Sequence, residues 1–173
     1  MKIKILSTKL KFSLIISLVT LSLTSSLGYA GPFDKGNTIA TVSIGSGQFF
    51  REDYLIIGAG IGYYVTDGIE LGVDVNYWTG GDPSIYEITP KLTYVYDNPS
   101  QFKPYLGAFY NRTYIEDLDD SDALGYRVGA FVPVGTKTYI GIGVVHTELQ
   151  DCRDTLFISC SETYTELTFM ISI

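Results

Sequence analysis

The segment Tyr54–Tyr77 reads YLIIGAGIGYYVTDGIELGVDVNY and has the clearest pattern in this 173-residue chain. Its second half places an apolar side chain at every odd position from Ile69 to Tyr77, with Glu, Gly, Asp and Asn at the even positions. In its first half, apolar residues alternate with glycines between positions 57 and 63. A strict period of two on both sides of a turn at residues 66–68 predicts a β-hairpin, in which each strand has one apolar and one polar face.

The first thirty residues predict a secretory signal peptide. Four lysines between positions 2 and 11 precede the apolar run Phe12–Leu23, and Gly28-Tyr29-Ala30 supplies the small residues that a signal peptidase reads. Because this run is too short and wrongly flanked for a membrane-spanning helix, we expect residues 1–30 to be removed on export. The remaining chain, Gly31–Ile173, has 143 residues, which is the length of one domain.

The charge of residues 31–173 argues against binding to nucleic acid. This part of the chain keeps 8 basic and 19 acidic residues, a net charge of −11, whereas neutralising phosphates requires clustered Lys and Arg. It contains no run that approaches the ~20 apolar residues of a transmembrane helix. The chain's 14 tyrosines and 18 glycines favour a β-structure with an unusually rich apolar face.

Alternation of the same kind continues through the rest of the chain. The hairpin supplies strands two and three, and six further strands are predicted at Thr38–Gly47, Ile85–Tyr96, Lys103–Tyr114, Asp122–Val134, Lys137–Glu148 and Glu162–Ile173. Short and long connections alternate, which predicts an up-and-down meander that closes into an eight-stranded antiparallel barrel and so leaves no free edge. Because Pro90 has no N–H to donate, a local bulge is predicted there.

Alternation leaves open which face points inward, because a soluble carrier barrel would bury the apolar face and a membrane barrel would turn it toward lipid. The apolar face supplies roughly thirty large side chains, too many for the narrow interior of eight strands, whereas the glycine-rich face fits it. Two groups of aromatic residues also cluster at strand ends, as at bilayer interfaces. They are Tyr63, Tyr64, Tyr94, Tyr96, Tyr105 and Tyr139 at one end, and Tyr77, Trp78, Tyr86, Tyr110, Tyr114 and Tyr126 at the other. We therefore expect a transmembrane barrel.

This pattern resembles the small eight-stranded outer-membrane barrels of the OmpA and OmpX type. The resemblance depends on the signal peptide, on GIGYYVTDGIELGVDVNYW at 60–78, on KPYLGAFY at 103–110 and on the terminal TYTELTFMISI. It implies a porin-like protein of a Gram-negative outer membrane that contacts lipid and lipopolysaccharide, and that meets periplasmic chaperones and the barrel-insertion machinery during biogenesis. It implies no cofactor. The chain departs from the family by ending in Ile173 rather than in Phe or Trp.

Six charged residues share the inward parity and are predicted to form a lumen charge network. They are Glu70, Asp74, Glu87, Lys91, Arg127 and Glu166. Because unpaired charge is costly in a closed lumen, we expect Lys91 and Arg127 each to lie among the carboxylates. This network is interpreted as a structural plug, and a narrow ion path is the alternative.

The loops offer two further candidates. Cys152 and Cys160 are the only cysteines, and in an exported chain they predict a disulfide that closes the last long loop. An acidic run in another long loop contains Glu116, Asp117, Asp119, Asp120 and Asp122. Such oxygens sometimes bind Ca²⁺ or Mg²⁺, but the run lacks EF-hand spacing, so a solvated loop is the prediction and no metal site is assigned.

His146 is the only histidine, and some eight-stranded outer-membrane barrels that modify lipid A use an outward-facing His with a nearby Ser. Here the next residue is Thr147 and no His-x-Ser arrangement follows, so the nucleophile candidates are Thr147, Ser159 and Ser161. The sequence therefore predicts no catalytic residues and a structural or surface-interaction role through extracellular loops. The alternatives are a lipid A-modifying enzyme and a small pore.

Overall fold

The computed structural model describes residues 31–49, 52–81, 83–115, 120–150 and 160–173. They form eight strands: β1 (Thr38–Phe49), β2 (Glu52–Thr66), β3 (Ile69–Thr79), β4 (Ile85–Val95), β5 (Lys103–Ile115), β6 (Ser121–Pro133), β7 (Thr138–Leu149) and β8 (Ser161–Ser172). Each strand pairs antiparallel with its neighbour in sequence, and β8 pairs with β1 to close the barrel. This architecture confirms the predicted all-β, eight-stranded antiparallel barrel. In the described part of the chain no helix has the length and apolar character needed to cross a membrane.

Apolar side chains cover the outer wall, and polar side chains point into the barrel, as predicted. Leu71 and Val75 are 51% and 53% exposed, whereas Glu70 and Asp74 on the same strand are 2% and 6% exposed. The same alternation along the other strands produces an apolar belt around the barrel. This belt includes Val42, Ile44, Ile57, Ile61, Ile88, Leu92, Leu106, Leu124, Val128, Ile142, Val144, Leu167 and Phe169.

The predicted aromatic belts are wrong in four positions. Tyr64, Tyr105, Tyr139 and Trp78 are at most 6% exposed and lie inside the barrel, whereas Tyr63, Tyr94, Tyr96, Tyr86, Tyr110, Tyr114 and Tyr126 are exposed on the outer wall. Clustering at strand ends misled the prediction because neighbouring residues of a strand point to opposite faces. Parity therefore turns the first four rings into the lumen, whose ends they fill.

The register at Pro90, the site of the ladder irregularity and the lengths of β1 and β2 also differ from expectation. No bulge occurs at Pro90, because the partners Ile88↔Arg112 and Lys91↔Phe109 keep the same register on either side of it. The sheet therefore accommodates Pro90, which has no N–H, without a bulge. The irregularity lies instead in the β2–β3 ladder, between Tyr64 and Thr66. Strands β1 and β2 also run farther than predicted, so most of the expected loop at residues 48–53 is strand.

Candidate functional site

The interior of the barrel is the candidate site, and its centre is ionic. Lys91 Nζ lies 2.8 Å from Asp74 Oδ1 and 3.4 Å from Glu70 Oε1. Arg127 Nη1 lies 3.3 Å from Asp74 Oδ2 and 3.5 Å from Glu166 Oε1. These five side chains are called the ionic centre below, and the exposed fraction of each side chain is 10% or less. Asp74 connects the two cations, so the charges form one continuous network.

The glycine-rich strand β2 makes room for this network. Gly60 is the cross-strand partner of Asp74, and a Cβ at Gly60 would lie 1.9 Å from Asp74 Oδ1. On another side of the lumen, the Arg127 guanidinium stacks 5.1 Å from the centroid of the Phe109 ring. The charged groups therefore have partners and packed surroundings, which buried charges require.

Glu87 is the one predicted member of the network that the structure keeps apart. Its carboxylate accepts hydrogen bonds from Asn76 Nδ2 at 3.3 Å and from Thr113 Oγ1 at 3.4 Å. Thr89 and Asn111 form a neighbouring buried hydrogen bond of 2.5 Å. Glu87 therefore belongs to a separate polar layer that is held by amide and hydroxyl groups.

Apolar clusters close both ends of the lumen, and the sequence analysis missed both. At the end where short turns connect the strands, here called the short-turn end, the cluster contains Phe33, Ile39, Tyr64, Val95, Tyr105, Phe131, Tyr139 and Met170. At the opposite, long-loop end, the cluster contains Tyr54, Ile56, Trp78, Ile85 and Ile115, with Tyr164 packed against it. For the cluster residues on strands, inward parity was the available signal, whereas Phe33 precedes β1 and has no parity.

The junction between β1 and β8 is incomplete at the long-loop end. The ladder between these strands ends at Gly45 and Glu166. Beyond it, Glu162 Oε1 accepts a hydrogen bond of 2.5 Å from the Gln48 amide, and Gly47 leaves the room because a Cβ there would lie 2.5 Å from Glu162 Oε1. Glu162 lies beyond the apolar belt, five residues before Leu167. Burial raises the pKa of its carboxyl to about 7.

On the outer wall, His146 contacts a residue that the sequence analysis did not consider. His146 Nδ1 lies 2.7 Å from Thr163 Oγ1, and its Nε2 lies 3.6 Å from Glu148 Oε1. Thr163 is the cross-strand partner of His146 in the β7–β8 ladder. Of the predicted candidates, Thr147 pairs with Glu162, Ser161 pairs with Glu148, and Ser159 lies outside the described residues.

The two loop candidates fall partly outside the described residues. Glu116, Asp117 and Asp119 are among the residues not described, while Asp120 and Asp122 form ion pairs of 2.9 and 2.8 Å with Arg112. The described part of the chain contains no group of three or more metal-ligating side chains. Cys152 also lies outside the described residues, so its pairing with Cys160 stays a prediction.

Three solved structures share this arrangement of strands. The N-terminal β-barrel domain of Pseudomonas aeruginosa OprF has a TM-score of 0.62 and 13% identity, covering 80% of this chain and all of that one. Neisserial surface protein A has a TM-score of 0.59 and 18% identity, covering 78% of this chain and 95% of its own. The chain has the fold of small eight-stranded outer-membrane barrels.

A de novo designed transmembrane β-barrel is similar as well, with a TM-score of 0.58 and 14% identity over 81% of this chain and 98% of the design. No protein-family model and no curated protein sequence matches the chain. At these identities the likeness establishes the fold alone.

Proposed function

We propose that this protein is exported by its signal peptide and spans the outer membrane of a Gram-negative bacterium as a non-catalytic barrel with a plugged lumen. This proposal depends on where the side chains lie, which is the reverse of the arrangement in a soluble barrel. Apolar side chains such as Leu71 and Val128 are exposed on the outer wall, while Lys91 and Arg127 are buried. Such a surface is compatible with lipid and costly in water. The short-turn end then faces the periplasm and the long loops face the exterior.

The contents of the lumen support a plug rather than a pore. Eight strands leave an interior that side chains can fill. Here the ionic centre occupies the middle, and an apolar cluster lies on either side of it. An ion entering from either end would meet buried aromatic rings before it reached the ionic centre. The role proposed is therefore structural, with the long loops available for contacts with lipopolysaccharide or an extracellular partner.

Fractionation and conductance test this proposal. The protein should remain in the outer-membrane fraction, require detergent for extraction, and give no steady conductance in planar bilayers. A variant that combines Glu70→Ser and Lys91→Ser with Tyr54→Ala and Tyr105→Ala empties part of the ionic centre and removes one buried ring from each end cluster. It should give measurable current, which shows that the assay detects an opened lumen. Recovery of the wild-type protein in buffer without detergent would contradict the membrane location. Steady current through the wild type would contradict the plug and favour the small pore.

A lipid A-modifying enzyme is the second candidate, favoured by the contact of His146 with Thr163 on the outer wall. A histidine with a hydroxyl at hydrogen-bond distance is the arrangement that activates a nucleophile. Mass spectra of lipid A from cells producing wild type, His146→Ala or Thr163→Ala test it, with Thr147→Ala as the matched control. Identical spectra for all four support the non-catalytic role. A mass change that both His146→Ala and Thr163→Ala abolish would establish the enzyme.

A further inference from the structure

The residues that precede β1 form a lid over the short-turn end of the lumen. This N-terminal lid comprises residues 31–37, and its Phe33 side chain is 1% exposed. The Phe33 ring lies 5.0 Å from that of Tyr139, 5.9 Å from that of Tyr64 and 6.3 Å from that of Phe131. A segment outside the barrel strands therefore supplies a central ring of the cluster that closes this end.

Backbone hydrogen bonds join the lid to the β2–β3 hairpin. The Gly68 amide donates to Phe33 O at 2.8 Å, and the Gly36 amide donates to Tyr64 O at 2.9 Å. The Lys35 amide donates to Asp67 Oδ1 at 2.9 Å. The lid is thus fixed to the turn at residues 66–68, and the Gly68 amide reports directly on whether Phe33 is in place.

The lid begins in a compact turn that is held by the backbone nitrogen and oxygen of Gly31. The Gly31 backbone nitrogen donates to Asp34 Oδ2, and Asn37 Nδ2 donates to Gly31 O. The Asp34 amide also donates to Gly31 O, at 3.0 Å. A carboxylate therefore lies against the first nitrogen of the segment that the sequence predicts to be the mature protein.

We propose that removal of the signal peptide after Ala30 creates an ammonium group at Gly31 that pairs with Asp34 and locks the N-terminal lid onto the lumen. Signal peptidase adds water across the Ala30–Gly31 peptide bond. The departing peptide ends in a carboxylate, and the nitrogen of Gly31 becomes an ammonium with three N–H donors. Processing thereby converts a hydrogen bond between a neutral amide and the Asp34 carboxylate into an ion pair between two opposite charges.

This inference rests on the proposed export and adds a consequence to it, since processing strengthens the attachment of a lid that already covers the periplasmic end of the lumen. The geometry is sensitive to the exact cleavage position. Retention of Ala30 alone would restore the amide at Gly31 and move the ammonium one residue away from Asp34.

The first experiment determines the N-terminal residue of the mature protein. The complete precursor is produced in a Gram-negative host, and the protein is purified from outer membranes for intact-mass measurement. The proposal expects a mass corresponding to a chain that begins at Gly31. A chain beginning at any other residue would overturn it. Because this measurement uses protein already in the outer membrane, such a result would leave the proposed membrane location intact.

The second experiment measures how strongly the ion pair between the Gly31 ammonium and Asp34 holds the lid in place. Four chains are refolded in phospholipid vesicles, beginning at Gly31 or at Ala30, each with the native Asp34 or with Asp34→Asn. Hydrogen exchange is then measured at the Gly68 amide. With Asp34 present, retention of Ala30 should accelerate exchange about fivefold. With Asp34→Asn, retention of Ala30 should change the rate less than about 1.5-fold, because no ion pair remains to be lost.

The control is the Ser172 amide, which donates to Lys137 O at the same end of the barrel without contacting the lid. Its exchange rate should be equal in all four chains. Equal acceleration of the Gly68 amide in both backgrounds would mean that Ala30 acts by steric hindrance, and the proposal would be wrong. No acceleration in either background would also overturn it.

Discussion

At the short-turn end, Phe33 enters an aromatic cluster from outside the barrel, and the β1–β8 ladder is complete there from Ile39 and Ser172. At the long-loop end, the ladder between the same two strands ends at Gly45 and Glu166, and the Glu162 side chain bridges to β1 in place of backbone pairing. One end is therefore closed by packing and main-chain hydrogen bonds, and the other by a smaller cluster and a carboxylate. Joining the first strand to the last and filling the lumen therefore depend on different contacts at the two ends.

The ionic centre lies between the two ends, and breaking it should have the largest effect. Lys91→Met removes the cation shared by Glu70 and Asp74 and leaves buried carboxylate charge uncompensated. We expect a loss of about 3–5 kcal/mol in the free energy of unfolding, measured by urea titration in phospholipid vesicles. Lys137→Met, at an exposed position in the turn before β7, should change stability by less than about 0.5 kcal/mol. A small effect of Lys91→Met would show that water reaches the centre.

The short-turn cluster should be the more sensitive of the two apolar ends. Phe131→Ala removes a ring stacked 4.6 Å from Tyr105 and 6.3 Å from Phe33, which should cost about 3–4 kcal/mol. The measurement is the urea midpoint followed by the fluorescence of Trp78, the single tryptophan of the chain. Val134→Ala, exposed beside the same turn, is the control and should leave the midpoint nearly unchanged.

The corresponding change at the long-loop end should cost less. Ile85 is 1% exposed in the smaller cluster, and Ile85→Ala should lower the free energy of unfolding by about 2 kcal/mol. The structural reason is that the β1–β8 junction at this end of the barrel is not held by a backbone ladder, so the strands can move inward and reduce the cavity. If Ile85→Ala lowers the free energy of unfolding as much as Phe131→Ala does, the two ends are equally rigid.

The sequence predicted the parts of this barrel that depend on local alternation. Parity grouped Glu70, Asp74, Lys91, Arg127 and Glu166 on one face, and the small volume of an eight-stranded lumen placed that face inside. The turn at residues 66–68 identified the central hairpin. The sequence alone could not predict contacts that depend on the register between distant segments. The His146–Thr163 contact requires the β7–β8 register, and the Glu162 bridge requires the closure of the last strand on the first. The Phe33 lid depends on packing and on hydrogen bonds to the β2–β3 hairpin, neither of which residues 31–37 signal by any periodicity.

Glu162 offers the smallest and most specific test of the difference between the ends. Burial raises the pKa of its carboxyl to about 7, while the Gln48 amide opposes this shift and Glu87 reinforces it. Since the folded barrel holds this proton more tightly than the unfolded chain does, the contribution of Glu162 to stability is present below its unfolded pKa and is lost as pH rises toward 7.

Glu162→Gln keeps an oxygen that can accept the Gln48 hydrogen bond and removes the titration. We therefore expect the variant to be more stable than wild type by about 1 kcal/mol at pH 8, and to differ little from it at pH 4.5. Urea titrations at both pH values measure this, and the difference between the two proteins isolates Glu162 from the other carboxylates. Glu162→Ala removes the bridge as well and should be less stable than Glu162→Gln at every pH. If the two variants behaved alike, the Glu162 carboxylate would not be holding β1 to β8, and the long-loop end would be closed by its apolar cluster alone.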